Sequence, residues 1–116
     1  MALVSGGAGA ATEIGAITLV EGGARLLRGA VWYKLAPGVP AEEGDIVEAF
    51  DRTQIQFELT GGTTVNLAGP GVVYAVPGKG GPPLLSLREG WLKVAAKGAG
   101  VRVRTPALDV IVAEAT

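Results

Sequence analysis

Glycine interrupts this chain so often that a long helix has little room to form. Glycine occurs 19 times and proline 7 times in 116 residues, and both end regular structure rather than extend it. They recur as Glu21-Gly22-Gly23, Arg28-Gly29, Pro37-Gly38, Glu43-Gly44-Asp45, Gly61-Gly62, Gly69-Pro70-Gly71, Pro77-Gly78, Gly80 to Pro83, Glu89-Gly90 and Gly98 to Gly100. Each cluster reads as a turn. What lies between is rich in Val, Leu, Ile and Thr, which fit a pleated surface.

The intervening runs carry the two-residue period of strands. In Gln54-Ile55-Gln56-Phe57-Glu58-Leu59 the apolar residues take one side and the polar ones the other. Thr64-Val65-Asn66-Leu67 repeats the pattern after Gly61-Gly62, so the pair predicts a hairpin. Ile14 to Val20, Val31 to Leu35, Val72 to Val76, Leu84 to Leu87, Val101 to Arg104 and Leu108 to Val112 are further strand candidates. Glu42 to Phe50 has some helical character, but Gly44-Asp45 breaks it. The expectation is an all-β single domain of about ten short strands, arranged as a sandwich or as a β-roll or solenoid-like fold. An internal echo is visible as well. Glu21-Gly22, Arg28-Gly29, Val31 to Leu35 and Pro37 have counterparts in Glu89-Gly90, Lys97-Gly98, Val101 to Arg104 and Pro106.

Composition removes several function classes. The net charge of -1 supplies no basic field for nucleic acid or an anionic membrane. With no cysteine and no histidine, there is no disulfide, thiol nucleophile or imidazole base, and the usual zinc, copper and haem ligands are missing. Serine occurs only at Ser5 and Ser86, so no nucleophile and base pair can be assembled in the usual way. A carboxylate pair is the one catalytic option left by composition, but the acids cluster at turns and on polar strand faces. The chain reads as non-enzymatic, without a metal or cofactor. Its glycine-rich stretches match no phosphate-loop pattern. No apolar run is long enough for a membrane-spanning helix.

Residues 1–13 form a Gly/Ala-rich leader. It reads either as the remnant of an export signal, with small residues around Gly9-Ala10-Ala11, or as a strand-exchange arm. Asp45, between Gly38 and Gly44 on one side and Ile46 on the other, reads as a structural turn residue whose carboxylate accepts backbone N–H groups. The competing reading is an acid or cation ligand formed with Glu42, Glu43 and Glu48, but the spacing lacks the register of a Ca²⁺ loop. Adjacent Trp32 and Tyr33 must point to opposite faces of a strand, which predicts one in the core and one outside. Beside Arg25, Arg28 and Lys34, an exposed aromatic suits a sugar or a peptide partner. Arg102 and Arg104 share a strand face, and with Lys93 they outline a basic strip for an anionic ligand.

These residues, taken in order, resemble the FecR-type periplasmic domain family. The resemblance rests on Gly15-x-Ile17-x-x-Val20-Glu21-Gly22, Arg25-Leu26-Leu27-Arg28-Gly29, Trp32-x-x-Leu35-x-x-Gly38 and Gly44-Asp45-Ile46-Val47. Leu87-Arg88-Glu89-Gly90-Trp91-Leu92 and Val103-x-Thr105-Pro106 continue it, so residues 14–113 correspond to the bare domain, followed by a tail at 114–116. Two departures stand out: Thr60-Gly61-Gly62 lacks the family's turn aspartate, and Ala113-Glu114-Ala115-Thr116 replaces its Arg-Gly-Thr ending. The resemblance implies an exported, periplasmic or extracellular module of the bacterial envelope. Such a module is non-catalytic and binds a protein or polymer partner in signalling or ligand sensing. The alternatives are a structural scaffold that self-assembles as a homo-oligomer through edge strands or the leader, and a carbohydrate-binding module.

Overall fold

The structure, a computed structural model, describes residues 12–78, 80–106 and 109–112, the last stretch as strand backbone. The readings of residues 1–11 as an export remnant or exchange arm, and of the 114–116 tail, lie outside the described residues. Among the described residues ten strands join in one curled sheet and there is no helix. In chain order they are β1 (Glu13–Glu21), β2 (Ala24–Arg28), β3 (Val31–Lys34), β4 (Pro40–Glu42) and β5 (Ile46–Ala49). They continue with β6 (Gln54–Leu59), β7 (Thr64–Val76), β8 (Leu84–Ala95), β9 (Val101–Arg104) and β10 (Asp109–Val112). Among the described residues every pairing is antiparallel except β9 on β8. The all-β expectation holds.

Two strands are much longer than the turn signals imply. β7 runs for 13 residues and β8 for 12, paired along their length. Gly69-Pro70-Gly71 and Glu89-Gly90, both read as turns, lie inside them, where the register shifts between Ala68 and Val73. At this crease the two backbones touch. A Cβ on Gly90 would sit 2.8 Å from Gly71 Cα and 3.0 Å from the Ala68 and Pro70 carbonyl oxygens. Gly90 also has φ of 103°. Glycine meets both demands, and the strands bend there without separating.

The crease explains the curl. On one edge, the first half of β7 pairs with β6, and the second half pairs with β5. From these two halves the sheet extends in different directions: β6 to β1 and β4, and β5 to β2 and β3. The other edge carries β8, β9 and β10. The inward positions close on a common core that includes Ile17, Leu26, Ile55, Phe57, Val65, Leu67, Val73, Leu85 and Val101. Ile55, Phe57 and Leu59 alternate inward as predicted, and the β6–β7 hairpin has the expected partners. An interior void beside Phe57, Val73 and Ala75 holds about 20 Å³, room for roughly one water, so this core encloses no ligand chamber there.

Two buried threonines tie loop backbone just beyond the strand ends. Thr53 Oγ1 accepts from Gly23 N–H at 3.0 Å and donates to Gly23 C=O at 2.9 Å. Thr63 Oγ1 accepts from Lys97 N–H at 2.9 Å and donates to Lys97 C=O at 3.0 Å. The sequence echo does not become a structural repeat. Val31–Lys34 pairs antiparallel to β2, whereas Val101–Arg104 runs parallel to β8, and Gly90 lies within a strand while Gly22 lies between two.

Candidate binding surface

The β2–β3 hairpin brings together the residues on which the binding reading rests. Its turn is Gly29-Ala30, with φ of 62° at Gly29. A positive φ confined to the first central residue fits a type II′ turn, whose twist matches that of the flanking strands. The register sets Arg28 opposite Val31, Leu27 opposite Trp32, Leu26 opposite Tyr33 and Arg25 opposite Lys34. Behind β2 lies β5, with Arg25 opposite Glu48 and Leu26 opposite Val47.

Trp32 and Tyr33 do point to opposite faces, but neither enters the core. They are 45% and 46% exposed. The expectation of one core aromatic fails because, among the described residues, β3 is the outermost strand of its arm. Leu26 and Leu35 fill the interior beside it instead.

Each aromatic is braced by an arginine from β2. The Arg25 guanidinium lies 3.7 Å from the Trp32 ring centroid and 5.8 Å from that of Phe50. Arg25 Nε donates to Glu48 Oε1 at 2.8 Å. One face of the indole is therefore already taken, leaving the other for a ligand. On the opposite face of the hairpin, Arg28 lies 5.7 Å from the Tyr33 ring. Arg28 Nε and Nη2 donate to Asp45 Oδ1 and Oδ2 at 2.9 and 2.8 Å, a forked pair. Arg28 Nη2 also donates to Pro40 C=O at 2.9 Å, and Glu42 Oε1 stands 3.5 Å from its Nε. The hydrogen bond to Asp45 is the main cause that holds the Arg28 pKa above its ordinary value. The charges of Asp45 and Glu42 add to this, while partial burial opposes it.

Asp45 is 2% exposed. Besides Arg28 it accepts from Glu42 N–H at 2.9 Å across the turn. Gly38 and Gly44 have φ of 95° and 92°. The acids that the cation-ligand reading would gather are spread over different partners. Asp45 and Glu42 face Arg28, Glu48 faces Arg25, and Glu43 Oε2 accepts from Gly78 N–H at 3.4 Å. Among the described residues no group of three or more acids could hold a metal ion.

The basic strip does not form as expected. Arg102 and Arg104 lie on β9, opposite Leu84 and Ser86 of β8. Lys93 lies opposite Asn66, seven residues beyond Ser86 along β8 and past the bend at Gly90, a path of about 23 Å along the strand at ~3.3 Å per residue. Arg102 Nε donates to Pro82 C=O at 3.0 Å, and Arg104 stands in register with Asp109 of β10. Arg102 also borders an open cleft of about 450 Å³ with Glu13, Glu43 and Lys97, where charges of both signs meet.

Glu48 and Phe50, which complete the setting of Trp32, were not among the residues expected to join it. They lie 23 and 25 positions from Arg25, and only the β2–β5 register brings them near. β2 itself, Ala24–Arg28, carried no clear alternation and was not expected as a strand. Comparison of the chain with protein-family models, with curated proteins and with solved structures found no match.

Proposed function

We propose that this chain is a non-catalytic recognition module, akin to the FecR-type periplasmic domain it resembles. In this reading it is exported to the bacterial envelope and binds a protein or polymer partner there, in signalling or ligand sensing. One observation carries the reading: Trp32 and Tyr33 stand half-exposed on the outermost strand, each braced by an arginine that is itself paired with an acid. Aromatic groups held in this way lose little freedom on binding, which favours recognition. The nearby acids support a binding rather than a chemical role, because Asp45, Glu42 and Glu48 are engaged with Arg28 and Arg25.

The test uses the purified chain as bait in envelope extract, beside a Trp32→Ser/Tyr33→Ser variant. The expected result is a protein or glycan ligand retained by the wild type and lost by the variant, with both cooperatively folded at the assay temperature. A ligand retained equally by both, or none retained by folded wild-type protein, refutes the proposal.

A further inference from the structure

Hydrogen-bond parity at β3 identifies what its outer edge offers. In a two-residue hairpin, the pair flanking the turn exchanges both backbone hydrogen bonds, and bonded and non-bonded pairs then alternate. Arg28 and Val31 flank Gly29-Ala30, so Val31 and Tyr33 bond to β2. Trp32 and Lys34 then turn their N–H and C=O groups away from it.

The far side of β2 gives the same parity independently. Phe50 N–H donates to Gly23 C=O at 2.9 Å, in line with the Ala24–Ala49 register. Gly23, Arg25 and Leu27 therefore face β5, and Leu26 and Arg28 face β3. Among the described residues no strand pairs with the outer side of β3. The open edge has Val31, Trp32 and Tyr33 as exposed side chains. Exposed apolar edges of this kind recruit a further strand.

We infer that the occupant is a second copy of this chain, joined as an antiparallel β3–β3 pair about a two-fold axis. The inference rests on the reading of the hairpin as a recognition surface, and it names a partner for its backbone. One register uses both edge residues. With Tyr33 opposite Tyr33 of the second copy, Trp32 of each copy lies opposite Lys34 of the other, and these pairs exchange backbone hydrogen bonds.

The side chains agree with that register. Trp32 and Lys34 share a strand face, so each indole receives the other copy's ammonium while Arg25 holds its own side of the ring. The tyrosines form an aromatic pair on the opposite face. The alternative register, Trp32 opposite Trp32, places Lys34 against the turn and leaves its backbone groups unbonded. The two-fold pairing consumes this edge in both copies, so this contact ends at a dimer.

A strand of 4 residues makes a small interface. The expected dimer is weak, with Kd on the order of 100 μM. Sedimentation velocity of the purified full chain, from micromolar to millimolar, should show a reversible monomer–dimer equilibrium. Lys34→Pro removes an outward N–H and the ammonium but leaves the Val31 and Tyr33 ladder to β2. It should be monomeric at every concentration with an unchanged melting curve. Amide exchange of the wild type reads the same geometry without a mutation. Trp32 and Lys34 amides should exchange rapidly in dilute protein and slowly in concentrated protein, with Tyr33 protected throughout.

A monomer at all concentrations, dimerisation that survives in folded Lys34→Pro, or Trp32 and Lys34 amides protected at high dilution would each overturn the inference. These measurements use the purified chain alone. Their failure is thus distinct from a failure to capture an envelope partner.

Discussion

Replacing Arg28 with methionine should be the costliest loss of a charged side chain at the binding hairpin. The guanidinium supplies two of the three hydrogen bonds to the Asp45 carboxylate, which is 3% exposed. Removing one member of a buried pair costs about 3–5 kcal/mol, because the partner's charge stays buried. Here Arg28 is itself 31% exposed, and Glu42 N–H remains as a donor. Water entering where the guanidinium was brings the figure to about 2–3 kcal/mol.

Arg25→Met is the control. Its pair with Glu48 has side chains 44% and 32% exposed, so that the pair contributes about 0–1 kcal/mol. The stacked indole adds roughly 0.5–1 kcal/mol. Urea unfolding of both variants, with the denaturant slope unchanged, gives the comparison. Adding Asp45→Leu closes a double-mutant cycle, for which a coupling of about 2 kcal/mol is expected. The reasoning fails if Arg28→Met lies within about 0.5 kcal/mol of wild type, if Arg25→Met costs as much, or if the cycle shows no coupling.

Alkaline pH should leave that penalty intact. The folded Arg28 pKa is raised above its ordinary value by the bond to Asp45, so its contribution is complete below the ordinary arginine range and is lost only as pH rises through the still higher folded value. The cost of Arg28→Met measured at pH 7 and at about pH 10 should therefore agree. Gly90→Ala forces a side chain onto φ of 103° and against the Gly71 backbone, and should cost about 3–4 kcal/mol in thermal unfolding. Gly98→Ala, at φ of 58° with nothing within 4 Å of its Cβ, should cost only about 1–2 kcal/mol. Thr63→Val keeps the shape but leaves Lys97 N–H and C=O without the hydroxyl, and should lower stability by about 1–3 kcal/mol.

The alternation in Gln54–Leu59 and Thr64–Leu67 was enough to place Ile55, Phe57, Leu59, Val65 and Leu67 inward and to predict their hairpin. It was also enough to separate Trp32 from Tyr33. It could not show that both lie outside, because exposure depends on whether another strand covers β3, and that is decided by residues far along the chain. The glycine clusters were ambiguous for a similar reason. Gly61-Gly62 turns the chain, whereas Gly69-Pro70-Gly71 and Gly90 let two paired strands approach and bend. Locally, both demands select the same residue. Lys93 could be grouped with Arg102 and Arg104 on composition, but the β8–β9 register keeps them apart.

The sequence by itself determined the all-β character, the inward and outward sides of β6 and of the first half of β7, and the position of several turns. These depend on a two-residue period and on backbone freedom, both of which are local. Only the tertiary structure decided that β2 is a strand, that its arginines meet Glu48 and Asp45, and that β3 stands at an edge. Those outcomes are set by which strands pair and in what register, a choice made by burying one shared core across distant segments.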